Sequence, residues 1–423
     1  MYYTPNKENN VFQLVVQYGA GEREFPKLGY AAQLMNNAGI MGAYEPQELK
    51  EELSKLNATC HVTADDDNLY IIMEGYEATL PQACQLLSRQ ILMPKLDEKQ
   101  LARLKGSAMG MRQQRKDNVS ILNEALRQYM LYGEKSDYIK ELTDKEIYEL
   151  QISELTGDIN RASNYEAKVF FTGTLPFDQV YDILSKNLPL VANERPSNSP
   201  QAKDMMPVTE NTVYFLPNND AEQAQIHLYI PMQKADKKDD VLRSAFNQYF
   251  GLDFTGIVLN EIREKRSMAY TAYAFVGTQG IAGKASYLRG YIGTQNDKAN
   301  DALDVLMGLV NDMPKNPERI DNIKSYLRQA MLTSHPSFRN KAMELVDLGY
   351  RGYTDDPAKE NLPKVDALTF DDIVKFYEEN IKDKPYCISI MGNPKNIDLK
   401  RLEKFGKVVK LNERKLFNTK DAL

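Results

Sequence analysis

Hydrophobic positions repeat at helical spacing in some segments of the chain and at strand spacing in others. Residues 83–91 and 302–310 place apolar side chains three and four positions apart, which predicts amphipathic helices. Residues 14–18 and 227–231 are short, mostly apolar runs that are typical of strands. In chain order the pattern predicts a strand, two helices, two strands, a helix, a longer helical stretch, and a last strand and helix.

This series of elements occurs twice. Residues 93–95 (Met-Pro-Lys) recur as residues 313–315, 220 positions later, and each triplet follows one of the two amphipathic helices. The strand and turn that end at Gly173 recur with Gly392, 219 positions later. Because a repeat decides how many folding units a chain contains, we take the number of domains from this constant offset and not from chain length alone. The repeating unit is about 210 residues long, the size of an ordinary domain.

We therefore predict an α+β fold of two homologous units, each a mostly antiparallel sheet covered by helices on one side. The first unit is assigned to residues 1–191 and the second to residues 211–423. Residues 192–210 between them are polar, rich in turn formers and without an apolar period, which is typical of a linker.

Composition narrows the classes of function. The 423 residues include 53 Lys and Arg against 59 Asp and Glu, a net charge of −6, so no general attraction to nucleic acid or anionic lipid is expected. No apolar run approaches the roughly 20 residues that span a bilayer. Cys60, Cys84 and Cys387 are widely spaced, which argues against a disulfide framework and a cysteine metal site. We predict no nucleic-acid partner and no membrane span.

The three histidines are too scattered to indicate an active site. His61, His227 and His335 have no second histidine or cysteine at metal-ligand spacing. His61 precedes three aspartates, residues 65–67, that could attract a hard cation, but a solvated turn between two strands explains the cluster better. The motifs of serine hydrolases, P-loop proteins and dinucleotide-binding proteins are also missing from the sequence.

Residues 259–277 predict the end of a helix, a charged turn and a strand, with Val258, Leu259 and Ile262 on the inward side of the helix. Arg263 is expected at the helix end and Tyr270 at the start of the strand. Because side chains alternate along a strand, Tyr270 should share a face with Ala272 and Ala274, leaving its hydroxyl free to meet a group outside the domain. The opposite face of the strand, which carries Thr271, Tyr273 and Phe275, is predicted to be the core. Spacing alone favours a simpler interpretation, in which Arg263 belongs to a solvated run of charged residues and Tyr270 packs at an edge.

A duplicated α+β chain with R-E-K-x-x-x-x-Y in its second copy resembles the C-terminal, non-catalytic half of the pitrilysin/insulinase family of zinc metallopeptidases. In that family, four homologous units form two halves that close around a peptide chamber. The catalytic half carries H-x-x-E-H, whose histidines and a downstream glutamate bind zinc. The resemblance implies that Arg263 and Tyr270 bind the substrate near the scissile bond.

The first copy has the surroundings of that zinc motif without its ligands. Where the family reads G-x-x-H-x-x-E-H, residues 29–36 place Ala32, Met35 and Asn36 at the positions of His, Glu and His. No acidic residue occurs in residues 99–116, where the downstream glutamate would fall. The resemblance therefore implies no metal in this chain and zinc on a partner half.

The predicted function is that of a non-zinc, substrate-clamping half of a zinc-dependent endopeptidase, inactive by itself. Its partners would be a catalytic half with H-x-x-E-H, in the same longer polypeptide or as a separate subunit, and an unfolded peptide substrate. The alternative is a catalytically inactive pseudo-peptidase subunit that binds peptides or acts as a scaffold. Because Met1 leads almost directly into a strand, we expect the chain to be the excised C-terminal half of a longer peptidase. If that peptidase is bacterial, the resemblance favours the periplasm.

Overall fold

The computed structural model describes residues 1–115, 118–189, 200–252 and 255–418. The elements up to residue 187 are β1 (Tyr2–Pro5), β2 (Val11–Tyr18), α1 (Leu28–Met35), β3 (Gly39–Ile40), α2 (Pro46–Lys55), β4 (Thr59–Ala64), β5 (Leu69–Tyr76), α3 (Leu80–Leu92), β6 (Pro94–Lys95), α4 (Glu98–Gln114), α5 (Val119–Tyr132), α6 (Asp137–Lys140), α7 (Asp144–Tyr148), α8 (Ile152–Ala162), β7 (Ala167–Gly173) and α9 (Phe177–Asn187).

The elements from residue 212 onward repeat this series with small differences. They are β8 (Thr212–Pro217), β9 (Gln223–Lys234), α10 (Asp240–Phe250), α11 (Ile257–Leu259), β10 (Ala269–Thr278), β11 (Ala285–Gln295), α12 (Ala299–Asn311), α13 (Ile320–Thr333), α14 (Lys341–Tyr350), α15 (Pro357–Ala367), α16 (Phe370–Asn380), β12 (Cys387–Gly392), α17 (Leu399–Leu402) and β13 (Lys407–Lys410).

Two sheets with the same strand order confirm the predicted α+β fold. The first sheet has the order β1-β7-β2-β5-β4, and the second has the order β10-β11-β9-β12-β8-β13. Read from opposite ends, they match strand for strand, with β13 added to the second sheet. The parallel pair of β1 with β7 corresponds to the parallel pair of β8 with β12. Next to these pairs, β2 is antiparallel to β7 and β5, and β9 is antiparallel to β12. The strand expected directly after Met1 is β1, whereas the hydrophobic pattern missed β8 and β13, which are short or lie near an edge.

Each sheet buries one face against helices of its own copy because apolar side chains alternate along its central strands. In β2 these are Phe12, Leu14 and Val16. In β9 they are Ala224, Ile226, Leu228 and Ile230, which lie in the second core with residues of α10, α12 and α16. The two cores are separate, so each copy has the hydrophobic interior that a domain requires.

The opposite face of each sheet is covered in part by a helix from the other copy. α5 places Leu122, Ala125 and Leu126 against Leu216 of β8 and Met391 of β12. In return, α14 packs apolar side chains on the first sheet, where they contact Val15 and Phe170. The two helices start 222 residues apart and are therefore equivalent in the repeat. The prediction of helices on one side only was incomplete, because this exchange adds a helix to each second face.

The linker predicted at 192–210 lies partly outside the described residues, since its first part falls in 190–199. The described part passes the end of α5 and the start of α6: the amide of Met206 donates to the carbonyl of Leu131 at 2.7 Å, and Lys203 pairs with Asp137. The domain boundaries stay predictions. No helix in the part of the chain that the structure describes is long and apolar enough to cross a membrane.

Candidate functional site

Arg263 lies where the predicted helix ends, in a π-helical turn, Asn260–Glu264, that continues α11. Val258 and Ile262 are buried, as the spacing predicted, and hold this turn on the core. The chain then reverses through Ser267, whose φ of 50° lies in the left-handed region, and the Ser267 amide donates to the carbonyl of Arg263 at 2.8 Å. Arg263 is thus fixed at its backbone, while its side chain is 39% exposed.

The charges of this turn are divided between two acidic residues. Glu261 accepts bonds from Lys265 and Arg266, and these bonds lower the pKa of its carboxyl. Arg263 has only the adjacent Glu264 as an ion-pair partner among the described residues, at 3.5 Å between Nε and Oε1. Its guanidinium therefore stays available to a further acceptor, because it has five N–H donors and the contact with Glu264 is long.

Tyr270 stands away from the sheet because the strand bulges at its first residues. The pairing of β10 with β11 shifts register between Ala269 and Thr271, so Tyr270 is the extra residue. Its side chain is 77% exposed, and no described residue binds its hydroxyl. The guanidinium of Arg263 lies 5.7 Å from the centre of its ring. We call Arg263 and Tyr270 the clamp pair; the structure brings them together as two exposed donors.

The predicted assignment of faces on β10 was wrong. Ala272, Ala274 and Val276 are buried in the second core, whereas the bulky side chains on the other face are half-buried. The reason is the close approach of the end of α10, where the carbonyl of Gly251 accepts from the amide of Ala274 at 3.0 Å. A Cβ at Gly251 would lie 2.9 Å from Cβ of Val258, so this approach needs glycine there and small residues opposite. Tyr270 does not share the alanine face, because the bulge turns it outward.

The three degenerate motif positions are occupied by structural side chains. Ala32 and Met35 are buried in the core from α1. Asn36 binds the backbone of Val62 in edge strand β4, donating from Nδ2 at 2.8 Å and accepting at Oδ1 at 2.7 Å. These residues do not fit a zinc ion, since the one oxygen they offer is already bonded. In the described part of the chain, no three His, Cys, Asp or Glu side chains form a metal-binding group.

The second copy repeats the Asn36 contact, a feature that sequence reasoning missed. Asn247 of α10 binds the backbone of Val276 in edge strand β10, with bonds of 3.0 and 2.6 Å. In each copy, an asparagine near the end of the first helix therefore binds the backbone at the same point of the sheet edge. The recurrence of asparagine at 36 and 247, 211 positions apart, was the signal that could have revealed it. Asn36 thus has a structural role that both copies share.

His227, which the sequence places in a strand, is buried beneath α5. Its Nε2 lies 2.9 Å from Oδ1 of Asn123, and its Nδ1 has no hydrogen-bond partner among the described residues. Burial, with the charges of Arg289 and Arg127, lowers the pKa of His227 to about 3. The imidazole is therefore neutral at physiological pH and lies in a positive local field.

We expect His227 to make the fold acid-sensitive. The unfolded imidazole has a pKa of about 6.5, so between pH 6.5 and 3 the unfolded state binds a proton that the folded state does not, and stability falls as pH falls. From pH 7 to pH 5, wild type should lose about 2 kcal/mol more unfolding free energy than His227→Gln. Urea unfolding at both pH values measures this. Equal losses in the two proteins would contradict the prediction.

Comparisons with known proteins agree with this architecture. Residues 163–327 match the sequence model of the family described as the peptidase M16 inactive domain. No curated protein matches the chain at a significant level. A peptidase M16 inactive domain from Pseudomonas fluorescens has a similar structure, with 16% identity over 94% of this chain and 96% of that one and a TM-score of 0.71.

Two longer proteases share the fold over less than half of their length. The periplasmic protease PqqL from Escherichia coli has 13% identity over 91% of this chain and 43% of its own, with a TM-score of 0.69. The ferredoxin protease FusC, solved as a mutant in complex with Arabidopsis ferredoxin, has 12% identity over 92% of this chain and 44% of its own, with a TM-score of 0.70. Residues 163–327 match the peptidase M16 inactive-domain model, and 94% of the chain shares the fold of a solved inactive domain, so the predicted resemblance to the non-catalytic half of the pitrilysin family is confirmed.

Proposed function

We propose that this chain is the substrate-clamping half of a zinc-dependent endopeptidase that hydrolyses peptides in a closed chamber. The observation that carries the proposal is the clamp pair: Arg263 and Tyr270 are exposed side by side, 5.7 Å apart, on a rigid helix end and a strand bulge. Two donors that the fold itself leaves unused are suited to bind a group supplied from outside.

The chemistry of the clamp pair fits a peptide carbonyl. The Arg263 guanidinium is always charged, and the Tyr270 hydroxyl is a neutral donor, so both can donate to the carbonyl oxygen of a substrate. When water adds to that carbonyl, negative charge develops on the oxygen, and donors already in place stabilise it more than they stabilise the substrate. The clamp pair would therefore lower the barrier to hydrolysis as well as hold the peptide.

The remaining chemistry must come from a partner. This chain supplies no zinc ligands at Ala32, Met35 and Asn36, so we assign zinc and the general base to a half that carries H-x-x-E-H. That FusC and PqqL are about twice as long as this chain supports a second half of similar size. PqqL is a periplasmic protease, which supports the periplasm as the proposed compartment if the source is bacterial.

The proposed substrate is an unfolded peptide that adds to a sheet edge. The edge of β10 is partly closed to it, because Asn247 binds Val276 and Gly251 binds Ala274. The end of the strand near Ala272 and Tyr270 is where a peptide backbone could pair, directly beside the clamp pair.

We expect proteolysis only when the chain is mixed with its catalytic half. A quenched fluorescent peptide should be cleaved by the mixture and by neither component alone, because metal and clamp lie on different halves. If the catalytic half cleaves equally well alone, the clamping role is wrong. If the mixture forms a stable complex with no cleavage of any peptide in a diverse library, the alternative of an inactive peptide-binding or scaffold subunit is supported instead.

A further inference from the structure

The second sheet has a face that α5 covers only in part. α5 contacts β9 and β12, while the neighbouring strands β10 and β11 extend beyond it. The half-buried side chains on this part of the face are mostly aromatic, and Tyr273 lies 6.0 Å from Phe275 and 5.2 Å from Tyr291 between ring centres. We call this the aromatic face; it consists of Tyr273, Phe275, Tyr287, Arg289 and Tyr291.

Arg289 is the one charged member of the aromatic face. Strand register places Phe275 on one side of it and Tyr229 on the other. Tyr287 and Tyr291 lie two positions before and after it on the same strand and face. Its Nε is buried and has no hydrogen-bond partner among the described residues. A guanidinium nitrogen that is buried without a partner is expensive to leave without an anion.

A carboxylate that feels the charge of Arg289 is already paired with another cation. Glu124 of α5 accepts from Nε of Arg127 at 2.7 Å and from its Nη2. Arg289 also lowers the pKa of Glu124, and both arginines lower that of His227, so the local field is positive. Two arginines against one glutamate leave a net positive site on a chain whose total charge is −6.

The aromatic face continues from the clamp pair along the same strand. Tyr270 and Phe275 are five residues apart on β10, which is about 17 Å at strand spacing. An extended peptide that is held at Tyr270 and crosses the face of the sheet, since the edge is closed at Ala274 and Val276, would therefore place a residue about five positions from the scissile bond beside Arg289. Its neighbouring apolar side chains would meet Tyr273, Phe275 and Tyr291.

We propose that the aromatic face binds an acidic side chain of an extended peptide, with Arg289 as the specificity-determining residue and the surrounding rings as contacts for flanking apolar side chains. This inference rests on the proposed function and names its substrate class. A carboxylate completes the bonding of Arg289, and aromatic rings bind peptide side chains without regard to exact sequence. Peptides with an Asp or Glu beside a Phe or Leu are the expected ligands.

Binding to the chain alone tests this without catalysis. Two short fluorescein-labelled peptides with a blocked C-terminus, identical except for Asp or Asn beside Phe, are titrated with the full chain by fluorescence anisotropy. Wild type should bind the Asp peptide about tenfold more tightly, the scale of one charge-assisted hydrogen bond. Arg289→Gln should remove this preference, and Arg289→Lys should keep part of it because the charge remains.

Arg328→Gln is the matched control, since it removes the same charge from an exposed ion pair on α13 and should keep the tenfold preference. The inference is overturned if wild type binds both peptides equally, binds neither, or if folded Arg289→Gln still prefers Asp. Should Arg289→Gln not fold, loss of the wild-type preference on raising salt supports the proposal, and a salt-independent preference overturns it. Cleavage by the mixed halves tests the proposed function separately, so either can fail alone.

Discussion

Arg263→Ala and Tyr270→Phe should each lower kcat/KM for peptide cleavage by the assembled enzyme by about 10²–10³-fold. That is the usual cost of removing one donor from a developing oxyanion. Both side chains are exposed and make little contact with the core, so the thermal stability of the chain should stay within about 0.5 kcal/mol of wild type. The loss would then be a loss of transition-state stabilisation and not of folding.

The controls for this prediction are matched in chemistry. Tyr148→Phe removes a hydroxyl from a tyrosine that is 71% exposed on the first copy, and Arg328→Ala removes an exposed arginine on α13. Both should leave kcat/KM unchanged. Because the two donors bind one oxygen, the double variant Arg263→Ala, Tyr270→Phe should lose less than the product of the single losses. Cleavage at the wild-type rate by both single variants would remove the clamp pair from the mechanism.

Leu126→Ala should lower the free energy of unfolding by about 2–5 kcal/mol, the cost of truncating a fully buried leucine. Leu126 belongs to α5 of the first copy, yet the buried residues it packs with include Leu216, Met391 and Leu411 of the second. The variant should therefore loosen the second sheet. Faster hydrogen exchange in β8 and β12, with urea unfolding for the free energy, measures this.

Leu332→Ala is the matched control, because Leu332 is 59% exposed on α13 and its truncation should cost less than about 0.5 kcal/mol. If Leu126→Ala accelerates exchange only in the first copy, the exchanged helix does not stabilise the second sheet. If it costs less than 1 kcal/mol, the site can collapse around the smaller side chain. Either result would contradict the described packing.

The clamp pair shows how far sequence reasoning reached within the site. The helix end at Arg263, the strand start at Tyr270 and the inward positions of Val258 and Ile262 follow from local periodicity, and the structure has all of them. The outward direction of Tyr270 was predicted for the wrong reason. Alternation would place it on the alanine face, whereas a bulge, which depends on pairing with β11, turns it to solvent.

The main error of the sequence analysis was to place the side chains of the aromatic face in the core, and its cause is informative. Side-chain size suggested that Tyr273 and Phe275 are core, but α10 approaches β10 so closely at Ala274 that small side chains fit there and large ones do not. β-strand patterns show that two faces differ without showing which one is covered. The error therefore concealed the face on which Arg289 lies.

The sequence by itself determined the duplication, the α+β class, the presence of Ala32, Met35 and Asn36 where the family it resembles has His, Glu and His, and the spacing of Arg263 and Tyr270. Each of these is a matter of residue identity or local period, which the chain carries whatever its partners in space. Only the tertiary structure decided which face of β10 is buried, that α5 and α14 exchange sheets, and that Arg289 lies among aromatic rings. These depend on how closely elements far apart in the chain approach one another, and no local pattern records that distance.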